Sequence, residues 1–248
     1  DAADLLKQGR QLVFVHGGSA EANALGESLG MPPKMITSPS GYTSRYTDRR
    51  TLEIFLMAVN GKINSLLTEQ LHRLGVNAFG LCGLDGKLIQ AARKDSVQSV
   101  ENGKRKIIRD DYTGRIEAVN NDLLRMLLRA GYLPVIAPVA VSGIGEALNV
   151  DADCAAARVA AALKAETLIL LTAVPGLLKN FPDETTLIRQ LPKNQLSVAG
   201  EAAQGRMKKK LLGTEEALKG GVCRVIIADG RIQNPISNAL AGNGTVIQ

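Results

Sequence analysis

Short, continuous apolar runs alternate with longer stretches in which apolar residues recur at helical spacing. The short runs, at 11–15, 76–81, 133–137, 167–172, 222–228 and 245–247, predict buried strands. The longer stretches predict helices over 20–29, 48–74, 115–130, 152–164 and 206–219. Strict alternation of this kind predicts an α/β fold, a mostly parallel sheet sandwiched by helices. In such sheets ligands collect beyond the carboxyl ends of the strands. The segment 85–115 breaks the pattern. It reads as two extended runs, Lys87 to Ala92 and Lys104 to Arg109, joined around Asn102-Gly103, a hairpin dipeptide.

The strand ends carry the candidate chemistry. Leu148-Asn149-Val150-Asp151-Ala152-Asp153 places an amide and two carboxylates just before an alanine-rich helix. Acidic groups there are favoured by the helix dipole, but only Asp151 or Asp153 can be the cap. Val15-His16-Gly17-Gly18-Ser19 ends the first strand and opens a helix, so backbone N–H groups point into open space and can bind an anion. The stretch is neither a P-loop nor a dinucleotide fingerprint, and His16 reads as a packed, hydrogen-bonded residue. Ser44-Arg45-Tyr46-Thr47-Asp48 opens the long helix with Thr47 or Asp48 as its cap. Arg45 just outside it has the fork that grips a carboxylate, or is a solvated surface residue. Gly80-Leu81-Cys82-Gly83-Leu84-Asp85-Gly86 and Leu170-Leu171-Thr172-Ala173-Val174-Pro175-Gly176 are further strand ends. Gly205-Arg206-Met207-Lys208-Lys209-Lys210 sets cations at a helix start, where the dipole disfavours them unless an anion is nearby.

Composition narrows the partners. At 248 residues the chain holds one large α/β domain or two modest lobes, and its 45% apolar and 22% charged residues are ordinary for a globular protein. No apolar run is long enough to span a bilayer. Three cysteines outside any Cys-x-x-Cys pair fit a reduced cytoplasm, and two histidines leave little for a histidine-rich zinc site. The net charge of +6 is modest, and with no Trp and eight Phe and Tyr residues stacking on nucleic acid has little material.

In this order along the chain, these elements resemble those of the amino acid kinase family, specifically its acetylglutamate kinase branch. His16-Gly17-Gly18-Ser19 is similar to the family's glycine loop and Arg45-Tyr46-Thr47-Asp48 to its Arg-x-Thr-Asp element. The segments 80–86, 149–153, 172–176 and 205–210 match further motifs, and the resemblance runs to the terminal Gly244-Thr245-Val246-Ile247. Within the branch, Ser40-Gly41-Tyr42-Thr43-Ser44-Arg45-Tyr46-Thr47-Asp48 looks most like kinases that phosphorylate 2-aminoadipate, some also glutamate, attached to a small acidic amino-group carrier protein. Two residues depart from the common pattern: Ser19 where many members have a third glycine, and Ala173 where many have Asp. Members also begin with a strand ending in Lys-x-Gly-Gly, so that segment is expected upstream of Asp1.

The resemblance implies phosphoryl transfer from ATP, with Mg2+, to a side-chain carboxylate. It assigns 1–164 to the acyl substrate and 165–248 to the nucleotide. On that pattern Gly17, Gly18 and Ser19 cradle the acyl substrate and the phosphoryl group, Arg45 holds the α-carboxylate and Asn149 fixes the substrate. Asp153 organises the catalytic lysines and Lys210 neutralises the transferring charge. Thr172, Val174, Gly176 and Gly205 line the nucleotide, and no resident metal is implied. A homodimer paired through the long helix is expected, with no nucleic-acid or membrane partner. The basic stretch 87–109, with Lys87, Arg93, Lys94, Lys104, Arg105, Lys106 and Arg109 against Asp95 and Glu101, is either a lysine-guarded edge hairpin or the docking arm for the acidic carrier. Two alternatives stand beside this reading: an N-acetylglutamate kinase of arginine biosynthesis, and a non-catalytic amino-acid-binding module.

Overall fold

A computed structural model describes residues 1–39, 41, 43–101, 104–202 and 205–248. Ser40 and Tyr42 of the 40–48 motif and the Asn102-Gly103 dipeptide, expected to form the hairpin turn, lie outside the described residues. Helix α1 (Ala2–Lys7) is followed by strand β1 (Phe14–Val15), helix α2 (Ser19–Ser28) and the hairpin β2 (Met35–Thr37) and β3 (Thr43–Arg45). The long helix is continuous but not uniform. It begins as α3 (Arg49–Leu56), widens to a π-helix over Met57–Asn64, and ends as α4 (Ser65–Arg73). Then come β4 (Ala78–Cys82), β5 (Ile89–Arg93), β6 (Val97–Glu101), β7 (Lys104–Ile108), β8 (Gly114–Val119), α5 (Asn121–Arg129), β9 (Leu133–Ala137), β10 (Val139–Val141) and β11 (Ala147–Asn149). The remainder is α6 (Ala152–Leu163), β12 (Thr167–Thr172), β13 (Gln190–Leu191), α7 (Leu196–Ala202), α8 (Gly205–Lys219), β14 (Arg224–Asp229), α9 (Pro235–Leu240) and β15 (Thr245–Ile247).

The chain packs as two units, one of residues Val13–Ala155 and one of Asp1–Leu12 with Ala156–Gln248. In the first, β9 lies between β1 and β4, parallel to both. All five residues of β9 are buried, the continuous apolar run of a strand covered on both faces. Ala22 of α2 and Phe55, Ala58 and Val59 of the long helix pack with Cys82, Ala137 and Val139 in one core. A second sheet runs β11-β10-β5-β8, with only the β10–β5 pair parallel.

In the other unit the sheet order is β12-β14-β15-β13. Strand β14 shows why both faces are covered. Val225 and Ile227 join a core with Ala157 and Ala160 of α6 and Leu211 and Ala217 of α8, while Ile226 and Ala228 pack on Ala239 of α9. Alternate side chains of a strand face opposite ways, so an unbroken apolar run needs helices on both sides.

Two expectations are corrected. The helix expected over 115–130 begins only at Asn121, because Gly114–Val119 is a strand paired antiparallel with β5. Asn120 is the start signal: its side chain accepts from the Leu123 N–H at 3.2 Å. The hairpin was expected between Lys87–Ala92 and Lys104–Arg109. It forms instead between β6 and β7, closing on the Glu101–Lys104 pair, while β5 joins the second sheet.

Candidate functional site

The glycine loop follows β1. Gly17 is exposed with open space where a Cβ would stand, so a ligand can approach its backbone directly. Gly18 serves the opposite need, since a Cβ there would lie 2.6 Å from Val59 Cγ1 and 2.7 Å from Ile63 Cδ1 on the π-helix. Gly18 is also the N-cap of α2, with no side-chain cap. The first N–H groups of that ten-residue helix, Ser19 onward, therefore have no intrahelical acceptor and favour an anion.

His16 anchors the loop. Asn64, 7% exposed in the last turn of the π-helix, donates from Nδ2 to the Val135 carbonyl at 2.9 Å and lies 3.1 Å from His16 Nε2. An amide nitrogen only donates, so Nε2 accepts. Nδ1 therefore carries the proton and donates to the Gly17 carbonyl at 2.8 Å. Burial holds the imidazole pKa below its ordinary value, which keeps it neutral. Gly80 on β4 makes room for this amide, as a Cβ there would meet Asn64 Oδ1 at 2.3 Å.

Arg45 ends β3 and reaches back to α2. Its Nη2 donates to the Ser19 carbonyl at 2.8 Å and to Asn23 Oδ1. Its guanidinium carbon sits 5.6 Å from the centre of the Phe55 ring. The Nε is buried without a partner, a donor turned toward no protein acceptor. Next to it Thr47 is fully buried. Its N–H donates to Asp111 Oδ2 at 3.0 Å, its carbonyl accepts from Tyr112 N–H at 2.7 Å, and its hydroxyl accepts from Asn149 Nδ2 at 3.1 Å. Asp111, 1% exposed, also accepts from Thr113 N–H at 2.9 Å. Arg93 packs 3.7 Å from the Tyr112 ring centre and donates to the Asp111 carbonyl. Arg45, Thr47 and Asn149 thus form one corner, which Asp111 fastens.

The two cap questions are answered here. Asp48 caps the long helix, accepting from Thr51 N–H at 2.8 Å. Asp151 caps α6, accepting from the N–H groups of Asp153 at 3.0 Å and Cys154 at 3.2 Å. Asp153 sits in the first turn of that helix and is not its cap.

In the other unit, β12 and β14 end side by side with Thr172 opposite Asp229, and Gly230 N–H donates to the Thr172 carbonyl at 2.7 Å. The loop holding Val174 leads to Gly176, whose Cβ would come 2.7 Å from Thr245 Oγ1 and 3.0 Å from Thr245 N. Only glycine fits that approach to β15. Thr245, fully buried, accepts from Leu177 N–H and donates to the Ile188 carbonyl, which fixes the loop's exit. Asp229 receives a two-pronged bond from Arg231, at 2.8 Å from Nε and 2.7 Å from Nη2, and Arg231 also pairs with Glu184 at 2.9 Å. The hydrogen bonds from Arg231 hold the Asp229 pKa below its ordinary value. Gly205, at φ +55°, starts α8. Lys208, Lys209 and Lys210 follow within it, partly buried, and the Lys210 carbonyl accepts from the Thr214 hydroxyl at 2.8 Å.

Sequence reasoning missed Asn23, Asn64, Asp111 and Asp229. Asn23 and Asn64 sit inside helices and Asp111 in a loop, with no local motif to mark them. Asp229-Gly230 at a strand end was a visible turn signal. Among the described residues no group of three His, Cys, Asp or Glu could hold a metal, and no helix is long and apolar enough to cross a membrane.

Comparisons with known proteins show the family and the fold. The chain is 58% identical over 247 residues to a [LysW]-aminoadipate kinase of Deinococcus radiodurans, covering 100% of this chain and 85% of the relative. It is 52% identical over 250 residues to the [LysW]-aminoadipate kinase of Thermus thermophilus, covering 100% and 93%. Among solved structures, the N-acetylglutamate synthase of Neisseria gonorrhoeae with coenzyme A and N-acetyl-glutamate superposes with a TM-score of 0.78 at 29% identity, over 99% of this chain and 54% of that one. Carbamate kinase of Giardia lamblia bound to AMP-PNP shares the fold, with a TM-score of 0.66 at 15% identity over 99% and 87%. The model of the amino acid kinase family matches residues 1–229, and the chain belongs to that family.

Proposed function

We propose that the protein transfers the γ-phosphoryl group of ATP, accompanied by Mg2+, to the side-chain carboxylate of 2-aminoadipate carried on an acidic amino-group carrier protein, the LysW of its relatives' names. A carboxylate oxygen attacks the γ-phosphorus, the bond to the β–γ bridging oxygen breaks, and ADP leaves with the electron pair. No proton moves, because the carboxylate is ionised at neutral pH. Positioning and charge neutralisation then do most of the catalysis.

The observation that carries this reading is the half-buried Arg45, fixed beside the uncapped start of α2 with one donor unpartnered. A carboxylate and an anion-binding helix start are what those two features suit. Arg45 then holds the α-carboxylate and Asn149 the substrate. Gly17, Gly18 and Ser19 present N–H groups, Lys210 offsets the transferring charge, and Asp153 orders the lysines. Thr172, Val174, Gly176 and Gly205 line the nucleotide, so that 1–164 serves the acyl substrate and 165–248 the nucleotide. The choice of acceptor is supported by the full-length similarity to [LysW]-aminoadipate kinases. Archaeal relatives such as that of Saccharolobus solfataricus, 37% identical, are named for both aminoadipate and glutamate, so the glutamate adduct is a second acceptor.

Carrier docking falls to the β6–β7 arm, where Lys104, Arg105, Lys106 and Arg109 are exposed. Arg93 is not part of it, being engaged with Asp111, Glu146 and Tyr112. Activity of the full-length enzyme on carrier-linked aminoadipate should fall steeply from low to moderate salt, and Lys104→Glu with Lys106→Glu should reproduce the fall. A higher kcat/KM on free N-acetylglutamate, insensitive to both, would replace this reading with an arginine-pathway kinase; turnover of neither would leave a binding module. A homodimer paired along the long helix completes the proposal. It is supported by the outer edge of β4, unpaired among the described residues, and by exposed Leu66, Leu74 and Phe79. Light scattering at micromolar concentration tests it.

A further inference from the structure

We propose that Asn23 is a positioning residue for acyl-substrate binding, acting through Arg45. A guanidinium has five donors and no acceptor, so an amide beside it must present its oxygen. Asn23 does so: its Oδ1 accepts from Arg45 Nη2, the nitrogen that also donates to the Ser19 carbonyl at 2.8 Å. Both hydrogens of Nη2 are therefore committed to α2. With the Phe55 ring 5.6 Å from the guanidinium carbon, the group is restrained from three sides, and its buried Nε is left without a partner.

The ordering matters because Arg is among the side chains with most rotamer freedom to lose. A guanidinium fixed before the ligand arrives spares that loss at binding. Of the two α2 acceptors, the Ser19 carbonyl is backbone, so Asn23 is the only side chain of the pair. Nearby Lys62 and Glu21 are occupied with each other at 2.6 Å and do not compete for the guanidinium. The bond has a second consequence. It ties the arginine at the end of β3 to the helix that opens at the glycine loop, so the two anion-holding elements share one rigid frame.

This inference rests on Arg45 as the holder of the substrate's α-carboxylate, and the test separates the two. Asn23→Ala, Arg45→Ala and the double variant of the full-length enzyme are compared by steady-state kinetics on carrier-linked aminoadipate. Alanine is the better helix former, so α2 is not weakened by the change. Loss of a hydrogen bond to a charged group should raise the acyl-substrate KM of Asn23→Ala about tenfold, with kcat and the KM for ATP unchanged. Asn23→Leu, which keeps the bulk and removes the acceptor, should behave alike. In the Arg45→Ala background Asn23→Ala should add nothing. An unmoved KM in Asn23→Ala, an equal rise in both backgrounds, or a joint loss of kcat and both KM values overturns the inference. If Arg45→Ala itself leaves the acyl KM unchanged, the assignment of Arg45 fails, and the role of Asn23 with it.

Discussion

Asp111 offers the sharpest test of how the proposed substrate corner is held. It is 1% exposed and spends its two oxygens on the N–H groups of Thr47 at 3.0 Å and Thr113 at 2.9 Å. Hydrogen bonds to a charged group contribute about 1.5–3 kcal/mol each, so removing both costs roughly 3–6 kcal/mol. Part of this is returned, because the buried charge no longer has to be desolvated, which leaves about 2–4 kcal/mol for Asp111→Ala. Asp111→Asn keeps one oxygen and turns an N–H₂ toward the other donor, so about half the loss is expected. In a protein of this size, the alanine variant should melt about 5–15 °C lower. The functional effect follows from the same bonds. Thr47 is released, and with it the hydroxyl that holds Asn149 Nδ2, so the acyl-substrate KM should rise while the KM for ATP stays put. Thermal unfolding of both variants and steady-state kinetics on Asp111→Asn decide the matter. A destabilisation below about 0.5 kcal/mol in Asp111→Ala, or equal losses in the two variants, would refute the reasoning.

Three further outcomes are expected. Lys210→Ala should lower turnover about 10²–10³-fold with little change in the acyl-substrate KM, measured in steady state, the loss typical of one preorganised charge donor. Gly18→Ala must displace the loop or the π-helix, since its Cβ falls 2.6 Å from Val59 Cγ1, and should cut kcat more than Gly17→Ala, which meets nothing within 4 Å. His16 has a folded pKa below its ordinary 6.5, so the unfolded chain takes up the proton first as the pH drops. Its contribution to stability is whole above pH 6.5 and is lost as the pH falls from there toward the folded pKa. Urea midpoints followed through that window should lose this component in His16→Gln, which keeps an acceptor for Asn64 without titrating.

The parts of the fold legible in the sequence are those where burial alone decides. The β9 run is apolar throughout because both faces are covered, and the Ala155–Ala157 stretch of α6 could only be a helix packed closely on a sheet. The residues 115–119 misled because propensity and pattern disagreed. Arg115, Glu117 and Ala118 suit a helix, yet the register with Ile89 to Arg93 makes them an outward-facing strand. In the hairpin, the Asn102-Gly103 dipeptide lies outside the described residues, and nothing local said which upstream run would pair with β7. Val97 to Glu101 won over Lys87 to Ala92 because the latter already had β8 and β10 as partners. Pairing is a non-local choice, and a chain read in windows does not contain it.

The site divides along the same line. Glycine turns and caps are local devices, so Gly17, Gly18, Asp48 and the Asp151–Asp153 pair could be picked out from neighbours a few residues away. What holds them was not visible, because each support spans a long separation. Asn64 reaches His16 across 48 residues, Asp111 reaches Thr47 across 64, and Asn149 reaches Thr47 across 102. The π-helix is the clearest case. Over Met57–Asn64 it widens into a π-helix, and widened turns of this kind often mark functional places. Its sequence, Met-Ala-Val-Asn-Gly-Lys-Ile-Asn, differs little from ordinary helix. Only when Gly18 is seen resting on Val59 and Ile63, and Gly80 leaving room for the Asn64 amide, does the reason for Asn64 become physical. The glycine loop is therefore shaped from beneath by a helix whose irregularity no window of sequence announces.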